Sequence, residues 1–82
     1  MKIYDFNGKK NVCGSRIKAA RKAKKLTQTE LAAQLQTQGI ILDQISLSRI
    51  EVGTRFVADF ELKTIASLLD CSIRWLLTGS DD

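Results

Sequence analysis

From Ser15 onward, apolar residues recur three and four positions apart with polar residues between them, the spacing of a helix with one buried face. Ile17, Ala20, Arg21 and Lys24 share one stripe, which predicts a helix capped by Ser15 and running to about Lys25. Leu26 follows as a connector. Thr27-Gln28-Thr29-Glu30 has the form of a capping box, in which the threonine and glutamate side chains bond each other's backbone N–H. It opens a second helix with Leu31, Ala32 and Leu35 inward and Gly39 as its stop. The apolar run Ile40-Ile41-Leu42 resembles a buried strand, but it is too short to make a sheet and no partner strand follows. Asp43 caps a third helix, with Leu47 and Ile50 inward and Gly53 at its end. A turn from Thr54 to Ala58 leads to Asp59, the expected cap of a fourth helix with Leu62, Ile65, Ala66 and Leu69 inward. Ser72 caps a last short helix, Ile73 to Leu77, closed by Gly79. Residues 1–14 carry no helical period and read as an N-terminal arm, 15–79 as one all-α, five-helix domain, and 80–82 as a fraying tail.

Composition agrees with this reading and narrows the chemistry. The chain has 82 residues, 44% hydrophobic and 27% charged, with no proline, which suits one small globular helical domain. No apolar run approaches the ~20 residues of a membrane span, and the first residues lack the apolar core of a signal peptide. A cytoplasmic protein is expected. Histidine is absent, which removes the commonest general base and metal ligand. Cys13 and Cys71 have neither zinc nor CxxC spacing, so two reduced thiols are expected, with Cys71 as a small core residue. Nothing implies a metal, a cofactor or an enzyme.

Charge is unevenly placed. Residues 1–29 hold nine of the thirteen basic residues and one of the nine acidic ones, so a polyanion, nucleic acid before membrane, is the expected partner. A lysine-rich solvated helix face would look the same. More specific are the two short helices at 27–38 and 43–52. Such a pair can form a helix-turn-helix, whose first helix crosses the DNA backbone while the second enters the major groove. The outward side chains of the second are then Gln44, Ile45, Ser46, Ser48 and Arg49. Glutamine pairs with adenine, arginine with guanine, serine with several acceptors, and isoleucine with a thymine methyl. A polar outward face is also what solvent asks of any amphipathic helix.

Four segments, in order and near the right spacing, carry a family resemblance: Arg16-Ile17…Arg21, Leu26 to Ala32, Ser46 to Gly53, and Leu69 to Gly79. Over 15–79 the chain resembles the phage repressor/Cro-type helix-turn-helix family (the xenobiotic-response-element family). The resemblance implies a lambda-repressor-like fold, double-stranded DNA as partner, and transcriptional regulation, most often repression. By the same resemblance Gln28 holds a phosphate and braces the reading helix, and Gln44, Ile45 and Arg49 contact bases. Ser46 and Ser48 flank them, and Lys24, Lys25 and Arg55 neighbour phosphates. Arg21 and Glu51 lie at the edge of apolar stripes, where an unpaired charge is costly, and in the family these positions form an ion pair. Trp75 and Leu76 belong to the core or to a dimer seam.

Two features depart from the family pattern. About five extra residues separate Leu35 from the Ser-Arg-Ile-Glu run, so either the second helix is longer or Gln38 to Leu42 form a loop. Ile45 stands where the family is usually polar; it reads a methyl, contacts the inserted loop, or faces a protein partner. The leading expectation is a homodimer on a near-palindromic operator with half-sites ~10 bp apart. The alternative is a protein-binding module, such as an antitoxin or adaptor of a small operon, for which Ile3, Tyr4, Phe6 and Val12 provide an apolar arm. Cys13, among lysines, is the candidate for a redox response.

Overall fold

The computed structural model describes residues 5–81. Five helices follow one another: α1 Gly14–Ala23, α2 Gln28–Thr37, α3 Gln44–Val52, α4 Asp59–Leu68 and α5 Ile73–Thr78. Among the described residues there is no strand, only one isolated bridge between Phe6 and Lys9. α3 packs against both α1 and α2, α4 against α2, and α5 against α4. Ile17, Leu31, Leu35, Leu47, Ile50, Ile65 and Leu76 are fully enclosed between them. The radius of gyration, 12.1 Å, matches the ~12 Å of one close-packed unit of this length.

Helix starts follow local chemistry. At α2 the Thr27 hydroxyl accepts the Glu30 N–H at 3.0 Å and the Glu30 carboxylate accepts the Thr27 N–H at 2.9 Å. Asp43 accepts the Ser46 N–H at 2.7 Å to open α3, and Ser72 accepts the Trp75 N–H at 2.9 Å to open α5. Two starts differ from expectation. α4 is preceded by Ala58, not capped by Asp59; alanine has no acceptor, and the Glu61 carboxylate reaches back to the Ala58 N–H at 2.9 Å instead. α1 begins at Gly14, one residue before Ser15, and its first N–H donates to Asn11 Oδ1 at 2.8 Å. It also ends at Ala23 rather than Lys25, because Lys25 takes a left-handed φ of 58° and turns the chain away.

The extra residues before α3 form a loop, since α2 stops at Thr37 and Gly39 turns the chain at φ 81°. Ile40-Ile41-Leu42 is therefore not a buried strand. Leu42 fills the core, Ile40 packs at its edge, and Ile41 points into solvent, 77% exposed.

The arm expected over 1–14 is fastened to the domain from Lys9 onward. Lys10 N–H donates to Gly53 O at 2.7 Å, and Asn11 Nδ2 donates to Ile50 O at 3.1 Å and Arg55 O at 2.8 Å. The Lys9 ammonium caps the Val52 carbonyl at 2.9 Å, a cation at the negative end of α3. Gly14 permits this closeness: a Cβ there would lie 2.1 Å from the Ile50 carbonyl oxygen. Cys13 is consequently the buried cysteine, 2% exposed, while Cys71 is only half-buried at the core edge, the reverse of what their positions suggested. Both thiols are free. Of the apolar arm residues, Phe6 and Val12 are exposed; Ile3 and Tyr4 lie outside the described residues.

Candidate nucleic-acid interface

α3 buries Leu47, Ile50 and Glu51 on one side. At 3.6 residues per turn, positions 45, 48, 49 and 52 then form the opposite stripe, with position 44 at its edge toward Glu51. Gln44, Ile45, Arg49 and Val52 are exposed and Ser48 is half-exposed, with Ser46 half-exposed on the flank. Val52 is the member of this face that sequence reading passed over, although it stands four residues after Ser48. Ile45 is 58% exposed, so with Val52 it leaves apolar groups on an otherwise polar surface.

The stripe is held by a chain of polar contacts reaching into the core. Arg21 Nε donates to Glu51 Oε2 at 2.7 Å and Arg21 Nη2 to Glu51 Oε1 at 3.0 Å, a two-point ion pair with both residues buried. Arg21 Nη1 donates to Leu26 O at 2.7 Å, which closes the end of α1. Gln28 Nε2 donates to Glu51 Oε1 at 3.0 Å, and Gln44 Nε2 donates to Gln28 Oε1 at 2.6 Å. One hydrogen-bonded line thus joins α1, α3 and α2 and emerges at the first residue of α3. The hydrogen bond from Arg21 to Glu51 raises the arginine pKa, against the opposing effect of burial, so the guanidinium stays charged. With Glu51 satisfied on both oxygens, the burial of two charges leaves no orphaned group.

The remaining cations are differently placed. Lys24 pairs with Asp70 near the α4–α5 junction, and Arg55 bonds the Glu61 carboxylate at 3.0 and 3.3 Å as well as Phe56 O at 2.8 Å. Burial alone would raise the Glu61 pKa, but Arg55 and the Ala58 N–H outweigh it and hold the carboxyl below its ordinary value. Lys25 is exposed. Leu76 is fully buried and Trp75 half-buried against the core, so of the two only Trp75 reaches the surface. Burial raises the Cys13 pKa, opposed by a backbone hydrogen bond and by Arg16, so this thiol is not the low-pKa arm cysteine that a redox response needs. Among the described residues there is no group of three or more His, Cys, Asp or Glu that could hold a metal ion, and no helix long and apolar enough to cross a membrane.

The helix-turn-helix family profile matches residues 17–76, and the chain belongs to that family. The fold is also similar to a solved structure of the P22 c2 repressor protein in complex with a synthetic operator, with a TM-score of 0.72 and 27% sequence identity over 85% of this chain and 98% of that one. No curated protein matches the chain.

Proposed function

We infer that the protein is a sequence-specific DNA-binding transcription regulator of the repressor type, with α3 as the helix that enters the major groove. The observation that carries this reading is the exposed face of Gln44, Ile45, Ser48 and Arg49, held from beneath by Gln28, Glu51 and Arg21. A side chain reads a base only if its backbone is placed to within a fraction of an ångström, and the buried pair supplies that fixed base. Gln44 suits adenine and Arg49 guanine, while Ile45 packs against a thymine methyl. Gln28, Ser46, Ser48 and Lys25 take phosphates, and Lys24 and Arg55 join them by exchanging the carboxylates of Asp70 and Glu61 for phosphate oxygens. The repressor it resembles in fold was solved with a synthetic operator, which favours double-stranded DNA as the partner here.

The protein acts as a homodimer in the cytoplasm, on a near-palindrome with half-sites ~10 bp apart. Phe56, Phe60 and Leu77 remain exposed outside the core and suit a dimer seam. The same surface, with the arm residues Phe6 and Val12, serves the second reading, a protein partner. The direct test is selection from genomic fragments at about 150 mM salt, where weak phosphate-only binding is suppressed. Enrichment of a short near-palindrome by wild type, lost in the Gln44→Ala, Arg49→Ala double variant, is the expected result. Equal binding of every fragment by both proteins would overturn it and move the protein-partner reading to the front.

A further inference from the structure

The inserted loop ends in an exposed isoleucine beside the start of the reading helix. Ile41 stands two residues before the Asp43 cap and is 77% exposed, more than any other large apolar side chain among the described residues. It borders a surface depression of about 340 Å³ whose other walls include Thr29, Ala32 and Ala33 of α2, Leu42 of the loop, and Gln44 of α3. Thr29 and Gln44 belong to the first turns of the two helices that a helix-turn-helix presents to DNA. The depression is therefore continuous with the reading surface and opens at its edge.

We propose that Ile41 is a specificity-determining residue, which packs against a thymine methyl group beyond the bases reached from α3. The assignment rests on the reading of α3 as the groove-entering helix. The thymine methyl is the apolar group that a base pair displays in the major groove, and an exposed isoleucine next to Gln44 has no better complement on duplex DNA. Three extended residues, from Ile41 to Gln44, span at most ~11 Å, about three base-pair steps along a strand, so the methyl lies within roughly three pairs of the base met by Gln44. Ile45 meets its own methyl from the helix; Ile41 widens the apolar reading by one position on the loop side. This use of the loop accounts for its length without displacing α3, since Leu42 and Asp43 still anchor the helix start.

The test replaces each thymine of the selected operator in turn with deoxyuridine, which lacks only the methyl group. Binding is measured for wild type, Ile41→Ala, Ile41→Leu and Ile45→Ala. One deoxyuridine position costs wild type about four-fold in affinity, the share of one buried methyl. That penalty disappears in Ile41→Ala and persists in Ile41→Leu and Ile45→Ala. Thermal unfolding of Ile41→Ala matches wild type because the side chain is outside the core. The proposal is overturned if Ile41→Ala retains every penalty seen with wild type, or if it alters only self-association or capture of another protein. Failure of wild type to select any operator is a different result: it removes sequence reading altogether, and this assignment with it.

Discussion

Arg21 and Glu51 show how a single pair ties folding to recognition. Each is buried, each is bonded at two points to the other, and Glu51 also holds Gln28. Removing one partner leaves an uncompensated buried charge, so Glu51→Ala costs about 3–5 kcal/mol, a large share of a small domain's stability. In thermal melts that is a fall of about 12 °C or more. The double variant Arg21→Met, Glu51→Leu is expected to be less destabilised than Glu51→Ala, because no charge is left unpaired. A double variant that loses as much as the sum of the two single variants would show that the pair is not coupled. The place of each residue at the edge of an apolar stripe was legible in the sequence, and the family resemblance supplied the pairing. Its extension to Gln28 and Gln44 was legible only in part. The family resemblance gave Gln28 a bracing role, but hydrogen bonds between residues 16 and 23 positions apart leave no periodic trace. The cysteines were read in the wrong order for a similar reason. Cys13 is drawn inward by Asn11, whose three backbone partners lie on α1, α3 and the α3–α4 turn, and no local pattern announces such a residue.

At the scale of elements, helix boundaries were readable where one residue marks them: Gly39, Gly53 and Gly79 turn the chain with left-handed φ at the ends of α2, α3 and α5. Thr27, Asp43 and Ser72 cap the helices that follow them, because an N-cap is a bond between residues three apart. Two ends are set by non-glycine residues in left-handed backbone, Lys25 and Asp70, and neither residue type advertises a stop. This leaves room for improvement at Lys25. Lys25→Gly relieves the left-handed cost and is expected to raise stability by up to about 1 kcal/mol in urea unfolding. Because the proposed interface gives Lys25 a phosphate, the same variant is expected to flatten the salt dependence of DNA binding by about one unit of slope. Lower stability in Lys25→Gly would contradict the strain argument. The caps also predict the response to acid. The Thr27 N–H lowers the pKa of Glu30 and the Ser46 N–H that of Asp43, while Arg55 and the Ala58 N–H lower that of Glu61 against its burial. A carboxyl with a lower pKa in the folded state contributes stability that is complete above its unfolded value, ~4, and lost as the pH falls through the folded one. The chain has no histidine to titrate in between. Melting temperature is therefore expected to stay level from pH 7 to about pH 5 and to fall below about pH 4, less steeply in Asp43→Asn, which keeps a cap that does not titrate. A fall between pH 7 and pH 5 would contradict this.

The whole molecule is a small scaffold that presents one helix. The five-helix order, the buried faces and the family were readable from periodicity and motif order, because each depends on residues within a turn or two of one another. The path of the inserted loop was not, since Ile40, Ile41 and Leu42 are alike in sequence and separate only when the core admits Leu42 and leaves Ile41 outside. The clasp of Lys9, Lys10 and Asn11 on the far end of α3 was equally hidden, joining segments about 40 residues apart. Together the clasp and the Gln28 contact secure the reading helix at both ends, and this rigidity is what sequence discrimination requires. The most direct measurement is the ratio of affinities for the selected operator and a scrambled duplex, for wild type and for the Gln44→Ala, Arg49→Ala variant at equal salt. The account predicts a ratio of about a thousand or more for wild type. In the variant it falls about ten-fold or further, with melting temperature and affinity for scrambled DNA little changed. Equal ratios for the two proteins would contradict the placement of α3 in the groove.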